Sequence, residues 1–344
     1  WVFLCTVDKT NNTQMAQILK VTDDSLELCK QALESSKVIA LPTETVYGLA
    51  GNALDDVALS SIFKIKGRPL FNPLIIHIDC VESAEKYATF NSLASQLVDE
   101  FWPGPLTIIL PKKGIIPDLV TANLDSVAIR CPQNPTFLKL LKALSFPLAA
   151  PSANPFGYVS PTTAQHVKTS LGDKIDIILD GADCTIGIES TIVDLRDPNK
   201  PKILRPGPIS KEALECLTNI KFEQKCASDE KKLRGPGMLK SHYSPKSPLE
   251  IIPLNSLKDL ISSGNKLKFA FIFQKRPKET TLEEQPNIYW LSKEGSTLEI
   301  AHNLYQLLRT VDTLNYQKIY IEAINENEGL KAALKDRLSK AASK

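Results

Sequence analysis

The amino-acid sequence predicts an α/β protein in two units, an open sheet dressed with helices and a smaller parallel α/β unit after it. Three observations predict this. Short apolar runs alternate with segments of helical period from residue 23 to 218, a pattern that layers helices on a sheet. Lys225 to Pro248 is rich in Lys, Glu, Ser, Gly and Pro, the texture of a linker. The alternation then resumes, and a chain of 344 residues has the length of two domains.

The elements read in order. Asp23-Asp24-Ser25 is a helix start, and Leu26, Cys29 and Leu33 follow at helical spacing. Val38 to Leu41 is a buried-strand run ended by Pro42. A helix is expected around Val57, Ile62 and Ile65, with strands at 74–78 and 106–110. Further strands are expected at 126–131, 147–151, 175–179 and 190–195, with helices at 134–144, 161–171 and 209–218. In the second unit strands are expected at 249–253, 267–273, 287–291 and 317–322, and helices at 255–263, 296–312 and 328–342.

Composition narrows the function classes. Hydrophobic residues are 43% and charged residues 23%, the balance of a packed protein rather than a disordered one. The net charge of +2 does not mark a nucleic-acid binder, so any anion site must come from local clustering. Seven cysteines (5, 29, 80, 131, 184, 216, 226) form no C-x-x-C pair, which favours reduced thiols. The histidines at 77, 166, 242 and 302 are not spaced as metal ligands. No Met opens the chain, which reads as trimmed or incomplete there. Trp1 to Cys5 is too short and too uncharged for a signal peptide, and no stretch is long enough to span a bilayer, so a cytoplasmic protein is expected.

The sequence contains neither a phosphate-binding G-x-x-x-x-G-K-S/T loop nor a G-x-G-x-x-G turn. Candidate chemistry sits instead where predicted elements end, and each candidate has a plain structural alternative. Pro42-Thr43-Glu44-Thr45-Val46-Tyr47-Gly48-Leu49 follows a buried strand, where α/β sheets place ligands; its threonines equally suit a local turn. Lys66-Gly67-Arg68-Pro69 offers a phosphate clamp, or cations answering a helix dipole. Asn72 and His77 lie on the next strand approach, and a lone His in an apolar strand also suits a core. Arg130, in the apolar strand Ser126 to Cys131, needs an acid: either the carboxylate of a bound amino acid or a nearby side chain. Pro151-Ser152-Ala153-Asn154 and Ser160-Pro161-Thr162 follow another strand, the latter also an ordinary helix start. Glu189-Ser190-Thr191 to Asp194, then Arg205-Pro206-Gly207, complete the set.

Taken in this order, PTETVYGL at 42–49, KGRP at 66–69, NPLIIHI at 72–78, WPGPLT at 102–107, VAIRCP at 127–132, PSAN at 151–154 and ESTIVD at 189–194 resemble the threonylcarbamoyl-AMP synthase family. The resemblance covers roughly 15–210. Gly235-Pro236-Gly237-Met238 and His242-Tyr243-Ser244-Pro245 resemble the linker of its two-domain branch, although Ser241 stands where the family often has a basic residue. The implied fold is a twisted, open-sheet YrdC-like catalytic domain at 15–218, a linker at 219–248 and a smaller Rossmann-like parallel α/β accessory domain at 249–344.

The resemblance implies a nucleotidyltransferase that turns L-threonine, bicarbonate or CO2, and ATP with Mg2+ into threonylcarbamoyl-AMP, pyrophosphate and water. A separate complex then transfers the threonylcarbamoyl group to tRNA, and weak RNA binding is compatible with such a protein. Carried over by motif, Lys66 and Arg68 grip the ATP phosphates as the catalytic cations, beside Asn72. Ser126, Asn154, Thr162, Arg205 and Tyr243 complete the nucleotide side. Thr45, His77, Arg130, Ser152 and Ser190 surround threonine, with Arg130 on its carboxylate. Mg2+ is expected to arrive with ATP rather than in a protein metal site. Two other readings are another carbamoyl-adenylate-forming enzyme, disfavoured by the missing paired cysteines, and a non-catalytic RNA-binding module, for which no RNP aromatic pair or KH loop is present.

Overall fold

The computed structural model describes residues 15–224, 242–263, 267–279, 282 and 284–343. The chain runs through β1 (Gln17–Lys20), α1 (Asp23–Glu34), β2 (Ile39–Leu41), β3 (Gly48–Asn52), α2 (Asp56–Lys66) and β4 (Ile75–His77). Next come α3 (Val81–Ala84), α4 (Ser92–Phe101), β5 (Leu106–Pro111), α5 (Asp118–Thr121), β6 (Ser126–Arg130), α6 (Pro135–Ala143) and β7 (Leu148–Ala149). The first unit ends with α7 (Ala164–Leu171), β8 (Ile177–Asp180), β9 (Thr191–Asp194), β10 (Lys202–Arg205), α8 (Lys211–Thr218) and β11 (Glu223–Gln224). The second contains β12 (Leu249–Ile252), α9 (Leu254–Ser262), β13 (Phe269–Lys275), β14 (Ile288–Ser292), α10 (Thr297–Thr313), β15 (Lys318–Glu322) and α11 (Gly329–Ala341).

Among the described residues the first sheet has the order β1-β8-β2-β3-β7-β4-β6-β5-β9-β10-β11, mixed parallel and antiparallel. Its central strands β2, β4 and β6 are buried residue after residue, because helices cover both faces. The second sheet, β12-β15-β13-β14, is wholly parallel, as β-α-β connections require. The predicted α/β class with a smaller parallel second sheet is therefore observed.

Local chemistry sets the boundaries. Thr22 and Ser25 form a reciprocal capping box at the start of α1. The Asp55 carboxylate accepts from the Val57 N–H to start α2, which stops at Gly67 in the left-handed region (φ 62°), a conformation open to Gly at little cost. That stop turns the chain back so that Arg68 folds inward. Asn134, Thr163, Ser210 and Ser296 cap α6, α7, α8 and α10 in the same way as Asp55.

β3 begins at the last two residues of the segment 42–49 read as a ligand turn and runs on to Asn52. Its sequence Gly-Leu-Ala-Gly-Asn has low strand propensity, and pairing to β2 and β7 overrides it. Gly51 is needed there because a Cβ would stand 3.3 Å from Ala58 and Ile62 of α2. The helix α4 lies between predicted elements; its Asn91 cap and buried Leu93, Leu97 and Val98 are helical signals. β1, β10 and β11 are short strands at or near the edges, and α3 and α5 are single turns.

The two sheets are joined by side chains as well as by the chain. Val46, Val159, Ile188 and Tyr243 share one apolar cluster with Leu249, Ile300, Ala301, Leu304 and Leu334. Fully burying each large apolar side chain contributes about 1.5–3 kcal/mol, so this junction is a packed interface rather than a loose tether. The linker residues 225–241, with the Gly235 to Met238 motif, Ser241 and Cys226, lie outside the described residues. The described cysteines at 29, 80, 131, 184 and 216 are free thiols.

Candidate active site

Strand register builds the site. β4 and β6 are parallel neighbours, and pairing places His77 beside Arg130. Ser126 and Arg130 occupy the same face of β6 four residues apart, roughly 13 Å by strand rise. β9 lies parallel to β5, setting Ser190 at its entrance close to Thr107. Arg205 ends β10, where a bulge turns it against Ser190.

These strand ends enclose a cavity lined by Thr45, Val46, Arg68, Ile75, His77, Arg130, Ala150, Pro151, Ser152, Glu189, Ser190, Arg205, His242 and Tyr243. Eight sequence-predicted residues, Thr45, Arg68, His77, Arg130, Ser152, Ser190, Arg205 and Tyr243, thus converge from eight segments. Lys66, Asn72, Ser126, Asn154 and Thr162 do not line it. Lys66 is buried, and its ammonium donates to the Ser152 and Asn154 carbonyls, the latter at 2.6 Å. Asn72 braces Arg68, Asn154 donates to Pro155 and Tyr158 carbonyls at 2.8 and 2.9 Å, and Thr162 lies against His166. A larger open groove of about 600 Å³, lined among others by Tyr158, His166, Lys246, Arg309 and Asp312, holds no predicted site residue.

Three guanidiniums meet at the cavity, each fixed from behind. Arg68 Nε donates to the Asn72 carbonyl (3.0 Å), and Nη2 donates to Asn72 Oδ1 and the Pro73 carbonyl (both 2.7 Å). Arg130 donates from Nη2 to Glu44 Oε1 (2.6 Å), from Nη1 to Thr45 Oγ1 (2.9 Å) and from Nε to the Gly104 carbonyl (3.2 Å). The acid that Arg130 required is therefore present in the protein itself as Glu44, so a ligand carboxylate would add to that pair. Arg205 donates from Nη2 to Ser190 Oγ (2.9 Å) and from Nε to the Ser190 carbonyl (3.0 Å).

Burial shifts the site's ionisation. It drives Lys66 well below its ordinary value, helped by Arg68, and lowers Arg68 to about 9. His77 falls to about 3 through burial and then the Arg130 charge. Glu189 behaves oppositely: burial pushes it up, but Arg337, Arg205 and the Ser160 hydroxyl outweigh this and hold it at about 2. Among the described residues, buried Asn72 Nδ2, His77 Nδ1, Ser126 Oγ, Asn154 Oδ1, His242 Nδ1 and Tyr243 Oη have no hydrogen-bond partner. Native interiors rarely leave buried polar atoms unsatisfied, and three of these residues, His77, His242 and Tyr243, line the cavity, which suits them to a bound ligand.

The buried histidines set a pH dependence. His77 and His242 (about 3) and His166 (about 4) stay neutral in the fold but would take up protons near 6.5 once unfolded. The unfolded state then binds more protons between about pH 3 and 6.5, so stability rises with pH across that window. Glu189 acts only below its ordinary 4.5. The urea midpoint is expected to fall between pH 7.5 and 5, with His166→Asn giving a shallower fall. Equal midpoints at the two pH values would rule out the histidine contribution.

Four contributors were not assigned a role by sequence: Glu44, Thr107, Glu189 and His242. All four lie within the matched motifs, so position was available although function was not. Arg337 and Tyr305 come from the second unit. Arg337 stands at a stripe position with Leu330, Ala333, Leu334 and Ala341, and a cation inside an apolar stripe is itself a signal.

The chain is similar to known proteins in both sequence and structure. A family model described as "Telomere recombination" (Sua5–YciO–YrdC) matches residues 31–207, and one described as "Threonylcarbamoyl-AMP synthase, C-terminal domain" matches 209–343. The threonylcarbamoyl-AMP synthase of Pyrococcus abyssi is 36% identical over 330 residues, covering 94% of this chain and 95% of that protein. This chain belongs to the threonylcarbamoyl-AMP synthase family. The Bacillus subtilis threonylcarbamoyl-AMP synthase is likewise 36% identical, covering 94% of each protein. The crystal structure of Pyrococcus abyssi Sua5 complexed with L-threonine superposes with a TM-score of 0.86 at 35% identity, covering 95% of this chain and 98% of that one. The similarity of this family member to its relatives therefore extends across both sheets.

Proposed function

We propose that the cavity between Arg68, Arg130 and Arg205 is where this member of the threonylcarbamoyl-AMP synthase family joins threonine, bicarbonate or CO2, and ATP. One observation carries the reading: the buried guanidiniums of Arg68, Arg130 and Arg205 line one hollow together with His77, His242 and Tyr243, whose Nδ1, Nδ1 and Oη atoms have no hydrogen-bond partner among the described residues. Threonine lies against Thr45, His77, Arg130, Ser152 and Ser190, where Arg130 adds the carboxylate to its Glu44 pair and hydroxyls answer the side chain. ATP lies toward Arg68, with Lys66, Asn72, Ser126, Asn154, Thr162, Arg205 and Tyr243 around it.

The neutral threonine amine attacks the one-carbon substrate to give a carbamate: with bicarbonate the new N–C bond replaces a C–OH bond and one water leaves, and with CO2 the nitrogen releases one proton to solvent. A carbamate oxygen attacks the α-phosphorus, the bond from that phosphorus to the β,γ-pyrophosphate breaks, and threonylcarbamoyl-AMP and pyrophosphate result. Both reactants are anions, so the work of the protein is to neutralise and align them. Arg68 suits this, since Asn72 and Pro73 hold its Nε and Nη2 while Nη1 makes no hydrogen bond among the described residues. Lys66 spends two of its three N–H groups on the 152–154 backbone, leaving one for a phosphate oxygen. Mg2+ enters with the triphosphate as part of the substrate.

The hollow as it stands has about 50 Å³ of room, enough for a few waters. Nucleotide entry requires the His242–Tyr243 wall to shift. Tyr243 holds a positive φ of 64°, a strained setting for an aromatic residue. Residues 15–218 serve as the catalytic domain, 219–248 as its linker and 249–344 as the accessory domain. We place the protein in the cytoplasm, upstream of a tRNA-modifying transfer complex and with weak RNA affinity of its own; among the described residues no helix is long and apolar enough to cross a membrane.

Exchange of labelled pyrophosphate into ATP tests the reading. Exchange is expected only when threonine and bicarbonate are both present. A non-catalytic RNA-binding module would show none under any condition.

A further inference from the structure

The side chains that hold the cavity's wall in place come from the second unit. Glu189 lines the cavity, next to Ser190, yet its carboxylate is engaged from behind. Arg337 Nε of α11 donates to Glu189 Oε2 at 2.7 Å, the Tyr305 hydroxyl of α10 donates to the same oxygen at 3.0 Å, and Ser160 Oγ donates to Oε1 at 2.6 Å. Arg337 Nη2 also donates to the Pro206 carbonyl at 3.1 Å, directly after Arg205. Its guanidinium lies 5.2 Å from the Tyr243 ring centre, and Asp336 takes its Nη1 at 2.5 Å. One side chain thus touches all three segments of this wall: Glu189–Ser190, Arg205–Pro206 and Tyr243. Its own exposure is nil.

The contact is built into the backbone. Gly187 has φ 85°, and a Cβ there would stand 2.7 Å from the Ala301 carbonyl and from His302. Helix α10 therefore lies directly on the loop that carries Glu189, and His302 Nδ1 meets the Thr185 carbonyl at 3.2 Å.

We propose that Arg337 is a positioning residue for the reaction and that supplying it is a role of the second unit. This rests on the reading above. An uncompensated carboxylate in a hollow meant for carbamate and triphosphate would repel both. Arg337 cancels that charge while fixing the geometry of Ser190 and Arg205 on either side of it. Its bidentate reach to a side chain and a main-chain carbonyl is a guanidinium property that Lys cannot reproduce.

The test is calorimetric titration of the full chain with ATP·Mg2+, alongside the KM and kcat of pyrophosphate exchange. Arg337→Gln is expected to weaken ATP binding by about 10-fold or more, because Glu189 keeps its hydroxyl donors Ser160 and Tyr305 but loses its paired cation. The double variant Glu189→Gln/Arg337→Gln is expected to recover to within about 3-fold of wild type, since the repulsion is gone. Arg337→Lys is expected to keep the charge and fall between the two, and it carries the comparison if Arg337→Gln does not fold. A residue that merely stabilises the fold would lower kcat through the folded fraction and leave Kd and KM unchanged. Wild-type affinity in every folded Arg337 variant would overturn the proposal while sparing the functional reading. Absence of ATP binding by the wild type would overturn both.

Discussion

Arg68→Ala is expected to lower kcat/KM for threonine-dependent pyrophosphate exchange by about 10²–10³-fold, the usual loss when one fixed charge-stabilising donor is removed. The size follows from how the side chain is held. Asn72 Oδ1 and the Asn72 and Pro73 carbonyls immobilise Nε and Nη2, so the guanidinium need not reorganise when charge develops on the phosphates. Its removal also strands those acceptors in a buried place, which costs about 1–3 kcal/mol of stability. Arg68→Lys should rescue little, because one ammonium cannot brace against the loop and grip phosphate together. The assay is exchange at a temperature where circular dichroism shows the variant folded. Turnover within a few-fold of wild type would remove Arg68 from the proposed phosphate grip.

Glu44→Ala is expected to destabilise the fold by about 3–5 kcal/mol, the cost of breaking a buried ion pair on one side. Glu44 and Arg130 are each about 95% buried and 2.6 Å apart, and no other carboxylate is bonded to Arg130 among the described residues. Glu44 Oε2 also accepts from the Gln133 N–H, so a loop anchor is lost with it. Arg130 would then lie uncompensated beside His77, whose neutral state already reflects that charge. Urea denaturation measures the effect directly, and a loss below about 1 kcal/mol would mean the pair is solvated or replaceable. Saturating threonine should restore part of the stability, because its carboxylate takes the vacated place opposite Arg130.

The helices with clear caps and spacing were legible: α1 from Asp23 and Leu26, α6 from Asn134-Pro135, α10 from Ser296 and its long apolar stripe. β3 was not, because its glycines argue against a strand, and they reflect close packing, of Gly48 on Ala150 and of Gly51 on α2. The shared site of Arg68, Arg130 and Arg205 was implied by the family resemblance; read residue by residue they were separate cations, because the strand order that gathers them depends on long-range pairing. Lys66 shows the limit of motif reading. Its place beside Arg68 was clear, but its turn onto the Ser152 and Asn154 carbonyls depends on a contact 86 residues away. Arg130 shows the limit of elementary chemistry: the need for an acid was legible, the presence of Glu44 as that acid was not.

Titrating the purified protein with L-threonine, then with ATP and Mg2+, tests the central claim most directly. Heat of binding is expected for each, and Arg130→Ala should abolish the threonine signal while Arg68→Ala abolishes that of ATP. No uptake of either molecule by the wild-type chain, singly or together, would contradict the account.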